Sequence, residues 1–193
     1  MNTRYNKIIL TILVIIIINS CSKDNNPLNN SSAPELLPLK IGNTWTMKTF
    51  LLDSVGNYSP ADTFTVTVLR DTTIQNEKWY IATNGIWRNG AEGLYLFDFG
   101  TPILLVKYPT SVSDSLIISG NTIVTLSVNE LKQVPAGNFS SCHYLIKIPG
   151  TNGIQLHNYY SPGIGRIYYD IAGYINNRWV LQGRVELISY LLK

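Results

Sequence analysis

The chain has 193 residues, with 15 lysines and arginines against 12 aspartates and glutamates and a formal charge of +3. Two of the basic residues, Arg4 and Lys7, precede a long apolar run, and the rest of the chain is nearly neutral, with its charges scattered singly. Because phosphate backbones are recognised by clustered basic residues, we expect no nucleic-acid partner.

The first element in chain order is an apolar run of eleven residues from Ile8 to Ile18, followed by Asn19, Ser20 and Cys21. Roughly 20 apolar residues are needed to span a bilayer, so this run is too short for a permanent membrane helix. A basic start, a short apolar run and a small residue at its end are typical of an export signal. We therefore predict a signal peptide over residues 1–20.

Ser20 and Cys21, placed directly after the apolar run, resemble the lipobox of bacterial lipoproteins. The resemblance implies that the signal is removed, that the Cys21 thiol is joined to diacylglycerol, and that the new amino terminus is acylated, with palmitate as an expected chain. Two or three acyl chains hold a protein on a membrane far more firmly than one. The membrane is therefore the expected partner of the amino terminus.

The residues after Cys21 bear on the destination. By resemblance to lipoprotein sorting in Gram-negative bacteria, Ser22 implies release to the outer membrane. The segment Ser22-Lys23-Asp24 also partly matches the short signals that send some lipoproteins to the cell surface. The sequence leaves both the periplasmic face and the cell surface open.

Residues 22–34 are polar and carry almost nothing that could be buried, which is typical of a flexible tether. A tether of this length spans roughly 20 Å on average. We therefore divide the chain into a signal peptide (1–20), a lipidated cysteine with its tether (21–34) and a single domain (35–193).

From Leu36 onward apolar and polar residues alternate with period two, as Phe64, Val66 and Val68 do against the threonines between them. This pattern is typical of half-buried strands, and turn residues recur at short intervals between them. The sequence predicts about ten antiparallel strands, near residues 43–52, 61–71, 77–84, 93–98, 102–108, 121–134, 139–148, 154–161, 164–175 and 178–191.

The predicted fold is all-β and mainly antiparallel, a strongly curved meander sheet or an incomplete barrel. A flat sheet with this many strands would leave one face and two edges exposed, so it must curl or find a second layer. A two-sheet β-sandwich is the alternative. The only departures from strand that we predict are a few short helices or turns, near 34–39 and 111–117.

Three short segments are distinctive as a set: Pro38–Trp45 (PLKIGNTW), Val134–Phe139 (VPAGNF) and Tyr160–Gly165 (YSPGIG). Together they resemble an uncharacterised family of exported, β-rich bacterial lipoproteins. Some such proteins are thought to share the curved half-barrel of lipoprotein carriers, which cups acyl chains. Each segment also has a structural explanation, since proline and glycine form turns and Trp45 is a large core residue whose N–H needs a partner.

The chain has two histidines, and they are its only side chains suited to proton transfer near neutral pH. If the turn at 149–153 closes a hairpin that pairs Ile148 with Ile154, His143 and His157 become diagonal neighbours on one face, with Tyr159 opposite His143. We expect no carboxylate or cysteine near them. We therefore interpret His143, His157 and Tyr159 as groove or ligand contacts and predict no metal site.

No nucleophile elbow, zinc-binding helix or phosphate-binding loop occurs in the sequence, and its carboxylates are dispersed. We therefore predict no catalytic residue and no cofactor. Once Cys21 is lipidated, Cys142 is the one remaining thiol, so an intramolecular disulfide is excluded. Cys142 shares its strand parity with Tyr144 and Ile146, a pattern that predicts a buried, inert cysteine.

Three Asp-Ser or Asp-Thr pairs match the O-glycosylation motif that some Gram-negative bacteria use on exported proteins. The acceptor residues would be Ser54, Thr72 and Ser115. The same pairs suit turns for reasons of hydrogen bonding alone, and both interpretations are retained.

These features predict a non-enzymatic, lipid-anchored envelope protein whose curved sheet binds an apolar ligand, such as an acyl chain or a lipid, or an envelope protein. The alternative is a structural or adhesive surface module with a filled core and no cavity. An envelope hydrolase is the hypothesis that the sequence favours least.

Overall fold

The computed structural model describes residues 34–53, 57–150, 154–175 and 178–193. Within these ranges the chain forms twelve strands and no helix, and all strand pairings are antiparallel. The strands are β1 (Thr44–Leu52), β2 (Tyr58–Ile74), β3 (Glu77–Ala82), β4 (Gly85–Gly90), β5 (Gly93–Asp98), β6 (Thr101–Lys107), β7 (Ser115–Ile118), β8 (Asn121–Val134), β9 (Gly137–Ile148), β10 (Ile154–Ser161), β11 (Gly165–Ile175) and β12 (Arg178–Leu191).

All twelve strands belong to one sheet, in the order β6-β5-β4-β3-β2-β1-β12-β11-β10-β9-β8-β7. Strands that are neighbours in the sheet are also consecutive in the chain, except at the centre, where β1 pairs with β12. The free edges are β6 and β7, which follow each other in the chain. The prediction of a single antiparallel all-β sheet is confirmed, and the two-sheet alternative is not what forms.

The sheet curves until its two ends nearly meet. The Tyr144 hydroxyl, on β9 near one end, donates a hydrogen bond of 2.8 Å to the carbonyl of Lys107 on β6 at the other end. Leu94 and Val106 from β5 and β6 also pack in one cluster with Ile123 of β8 and with Tyr144. Tyr144 is almost fully buried, and burial raises the pKa of its hydroxyl far above the ordinary value.

Irregular pairings accompany this curvature. The register shifts once between β1 and β12, once between β10 and β11, and twice between β8 and β9. A bulge adds a residue to one strand, bends it and increases its twist. The two shifts on β8 lie close together, between Thr125 and Glu130.

Two predictions about elements are wrong. The strand β4 was not among the predicted strands. Asn-Gly pairs are typical of turns, but Asn89 and Gly90 belong to β4: Gly90 pairs with Gly93, and the turn lies between them. No helix forms within the described ranges. In place of a helix, a turn forms at Val112–Ser113 and residues 115–118 pair with β8 as a strand, while residues 34–40 form neither helix nor strand and bend at Leu36 and Leu37.

We predict that Tyr144→Phe lowers the free energy of unfolding by about 0.5–1.5 kcal/mol, because it removes the hydrogen bond to the carbonyl of the half-buried Lys107. Urea unfolding followed by circular dichroism measures the change. Tyr174→Phe is the matched control, since that ring is 46% exposed. Equal unfolding midpoints for Tyr144→Phe and wild type would show that this bond does not hold the two ends together.

Candidate functional site

A cavity opens within the curved sheet, and its walls are mainly apolar. The space between its lining atoms, including the part open to solvent, is about 520 Å³, of which about 50 Å³ can hold the centre of a water molecule. Strands β1 to β4 supply most of the wall: Trp45, Met47, Val66, Val68, Ala82 and Trp87. Apolar walls of this kind are typical of ligand pockets.

Three polar side chains also line the cavity: Asn84, Tyr160 and Arg166. The Asn84 carboxamide oxygen accepts a hydrogen bond of 3.1 Å from the indole N–H of Trp87. The guanidinium of Arg166 stacks on the ring of Tyr169, 4.6 Å from its centroid. Burial raises the pKa of Tyr160 although Arg166 opposes the shift, so its hydroxyl is neutral. Arg166 therefore provides the one positive charge among the residues that line this mainly apolar cavity.

Residues 34–40, which we call the N-terminal strap, complete the wall with Leu37 and Leu39. Leu36 and Leu39 are buried, and Leu37 packs against both apolar clusters of the domain. The Asn89 side chain holds the strap at Leu37: its NH₂ group donates to the Leu37 carbonyl at 2.6 Å, and its oxygen accepts from the Leu37 N–H at 3.4 Å. The strap is thus a discrete, latched part of the cavity wall.

The three distinctive segments of the sequence have structural roles in this region. The indole N–H of Trp45, in the first, donates to the carbonyl of Ile164, in the third, at 2.6 Å. Gly165 has a φ of +104°, and a side chain there would meet Leu37. Val134 and Ala136, from the second segment, pack in the same cluster as Trp45. The expectation that Trp45 is a core residue with a bonded N–H is confirmed.

The two histidines lie where the predicted hairpin places them. Ile148 pairs with Ile154, His157 lies opposite Leu145, and Tyr159 lies opposite His143. The Nε2 atom of His143 is 2.8 Å from the Nδ1 atom of His157. His143 and Tyr159 are buried, whereas His157 is half-buried.

The expectation that no carboxylate lies near the histidines is wrong. The Glu130 carboxylate, on β8, is 2.8 Å from Nδ1 of His143. Glu130 pairs with Ser141, two residues before His143, so the bent β8–β9 hairpin brings it to the same face. Burial lowers the pKa of His143 even though Glu130 acts to raise it, which favours the neutral imidazole.

The rings around His143 form a compact group. Tyr159 stacks on the His143 ring at a centroid distance of 4.1 Å. The Lys132 ammonium lies 4.0 Å from the Tyr159 centroid and 3.6 Å from that of Tyr168. Burial lowers the pKa of Lys132. None of His143, His157 and Tyr159 lines the cavity, because they project from the face of the sheet opposite to Tyr160.

The remaining predicted sites have simple placements. Cys142 is free and buried, as predicted, and burial raises the pKa of its thiol. Cys21 and Ser54 lie outside the described residues. Thr72 is half-buried in β2 opposite Trp79, and Ser115 is exposed at the start of β7. Glycosylation of these residues stays a prediction.

All three Asp residues of the glycosylation motifs have structural partners. Asp53 accepts a hydrogen bond of 2.8 Å from the Asn57 N–H. Asp71 forms an ion pair of 2.9 Å with Lys78. Asp114 accepts hydrogen bonds from the Thr110 hydroxyl at 3.1 Å and the Ser111 N–H at 2.8 Å. These contacts agree with the structural interpretation of the pairs and leave the modification open.

Two negative findings apply to the described part of the chain. No helix there is long and apolar enough to cross a membrane. No group of three or more His, Cys, Asp and Glu side chains is arranged there to hold a metal ion.

Comparison with solved structures identifies the fold. The chain is similar to a crystal structure from Bacteroides fragilis, of a protein inferred to be exported and with a YmcC-like fold, at a TM-score of 0.54 and 14% sequence identity. It is also similar to the crystal structure of an inferred lipoprotein from Parabacteroides distasonis, at a TM-score of 0.46 and 14% identity. Each match covers 83% of this chain and 100% of the other.

No protein-family model and no curated protein matches the sequence. The likeness to the Bacteroides structure therefore defines the class by fold: a single, strongly curved antiparallel sheet of the YmcC-like type.

Releasing the strap tests its role in the cavity wall. We predict that Asn89→Ala destabilises the fold by about 1–3 kcal/mol, because both polar groups of Leu37 lose their partner. The variant should also be cut faster by protease within residues 34–40. Mass spectrometry after limited proteolysis locates the cuts, and Asn138→Ala, at an exposed position, is the control. A strap as resistant as in wild type would contradict the latch.

Proposed function

We propose that this protein is a non-enzymatic envelope protein, held on the outer membrane by lipid on Cys21, whose cavity binds the apolar end of an amphiphilic ligand. The observation that carries the proposal is the half-open apolar cavity between the strap and strands β1 to β4. The signal-like amino terminus supports the location, and the related folds come from proteins inferred to be exported or lipoproteins.

The size of the cavity limits what enters. A group the size of a water molecule needs about 10–15 Å³ of the volume that can hold its centre. The cavity offers about 50 Å³ of that volume, so it admits about four such groups in a row. That corresponds to the end of an acyl chain or a branched apolar group. A longer chain would have to displace Leu37 and Leu39, the part of the wall that belongs to the strap and not to the sheet.

The charge in the cavity favours an anionic amphiphile. Arg166 lines the cavity and is stacked on Tyr169, so its charge is held in place before a ligand arrives. A carboxylate or phosphate can form a paired hydrogen bond with a guanidinium. The expected ligand thus carries an apolar end and an acidic group, as fatty acids and many lipids do.

A structural or adhesive module with a filled core is the weaker candidate, because the cavity has no role in it. A partner protein that inserts an apolar side chain is a further occupant that the cavity would accept. The sequence contains no catalytic motif, which is our reason for proposing a binding protein rather than a hydrolase.

Filling the cavity tests the proposal. We predict that Ala82→Phe, whose new ring would enter the cavity, weakens the binding of decanoate at least tenfold. The mature chain with Cys21→Ser is used, so that its own acyl chains do not compete, and quenching of Trp45 and Trp87 reports binding. Ala61→Phe, at an exposed position of β2, is the control. Equal affinities for Ala82→Phe and wild type would place the ligand elsewhere.

The role of Arg166 has a separate test. We predict that Arg166→Gln weakens decanoate binding about tenfold and leaves decanol binding unchanged, since only decanoate carries a charge for the guanidinium to pair with. The same fluorescence titration measures both. A parallel loss for the two ligands would mean that Arg166 shapes the cavity and does not select the charge.

A further inference from the structure

The chain contains two histidines, and the fold brings their ring nitrogens to 2.8 Å. They belong to adjacent strands, β9 and β10, and face the same side of the sheet as diagonal neighbours. The rings are tilted by 40°, with centroids 5.1 Å apart. Two imidazoles that point nitrogen to nitrogen form either a hydrogen bond or, with a cation between them, a pair of metal ligands.

Glu130 fixes which nitrogen of His143 is available. An ionised carboxylate only accepts hydrogen bonds, so Nδ1 of His143 carries the hydrogen that Glu130 receives at 2.8 Å. The Nε2 atom of His143 is then a bare lone pair directed at His157. A carboxylate bonded in this way to the far nitrogen is the usual outer partner of a metal-binding histidine, and it raises the basicity of the ligand.

We propose that His143 Nε2 and His157 Nδ1 form a binding site for a late first-row divalent cation such as Zn²⁺, Ni²⁺ or Cu²⁺. Imidazole nitrogen suits these ions, whereas Ca²⁺ and Mg²⁺ prefer oxygen ligands. With metal–nitrogen bonds of about 2.0–2.1 Å in a tetrahedral arrangement, the two nitrogens stand about 3.3 Å apart. The present separation has to widen by about half an ångström, and the half-buried His157 ring has to turn so that both lone pairs converge on the cation.

Metal binding at this site needs no proton donor or acceptor other than the two histidines and solvent. In the hydrogen-bonded pair His157 carries its hydrogen on Nδ1, because His143 offers only an acceptor there. On metal binding this hydrogen moves through solvent to Nε2 of His157, and the Nδ1 lone pair takes the cation. His143 keeps its Nδ1 hydrogen bonded to Glu130, and no net proton is released.

The site supplies two protein ligands, since no third His, Cys, Asp or Glu among the described residues completes it. Water or a group on an incoming molecule fills the remaining positions. His157 is half-buried, so the cation is reached from solvent on that side. A cation bound by these two ligands would therefore exchange with cations in solution. It lies on the face opposite to the cavity and does not depend on the proposed ligand there.

Zinc titration tests the assignment. The full mature chain with Cys21→Ser is used without a polyhistidine tag, and binding is followed by calorimetry. We expect one zinc ion per chain, and we expect His157→Gln to weaken binding at least tenfold while the thermal unfolding midpoint stays near that of wild type. Glu130→Gln should weaken binding about ten- to hundredfold through its loss as an outer partner. Asp62→Asn, which removes an exposed carboxylate from β2, should change nothing.

Nuclear magnetic resonance of the wild type provides a readout that needs no variant. The ring C–H signals of both histidines should move together and stop moving at one equivalent of zinc. Absence of binding at millimolar zinc, unchanged affinity in His157→Gln, or movement of one histidine signal alone would each overturn the proposal.

Discussion

A single sheet has to fill its own interior when, as in the described ranges, no helix covers it, and this constraint governs the domain. Tyr144 bridges the two ends of the sheet: its ring is buried among side chains from both ends, and its hydroxyl donates to the Lys107 carbonyl. The remaining space is taken by large residues of the sheet and by Leu36 of the strap. The cavity lies where this filling is incomplete, so the ligand-sized space is a direct result of one-layer architecture.

Hairpins with clear turn residues were predictable from the sequence, and elements defined by the closed sheet were not. The turn at 149–153 fixed the pairing of β9 with β10 to the residue, because a short connection leaves one register. By contrast, β4 was hidden by Asn89-Gly90, whose asparagine serves as the latch of the strap. The short edge strand β7 has only four residues, too few for its alternation to be recognised.

The candidate sites also differ in how far they can be predicted from the sequence. Glu130 was within reach of sequence reasoning: counting back from the turn at Pro135 and Ala136 places it opposite Ser141, diagonal to His143. Predicting this contact requires the register of the β8–β9 hairpin in addition to that of the β9–β10 hairpin. The cavity was out of reach, because Trp87 and Arg166 come together only when strands β4 and β11 are curved toward each other. Curvature arises from bulges, which periodicity does not reveal.

The order of strands places the first and last strands at the centre of the sheet and the two middle strands, β6 and β7, at its edges. Strands β1 and β12 pair with each other, while the connection at 108–114 joins two edges that share no strand pairing. A cut in that connection would leave the backbone ladder whole and yield two six-stranded meanders held together along β1 and β12. The domain thus resembles a heterodimer whose two subunits are joined by a single connection. The two halves could be expressed separately and then mixed, or exchanged between related proteins.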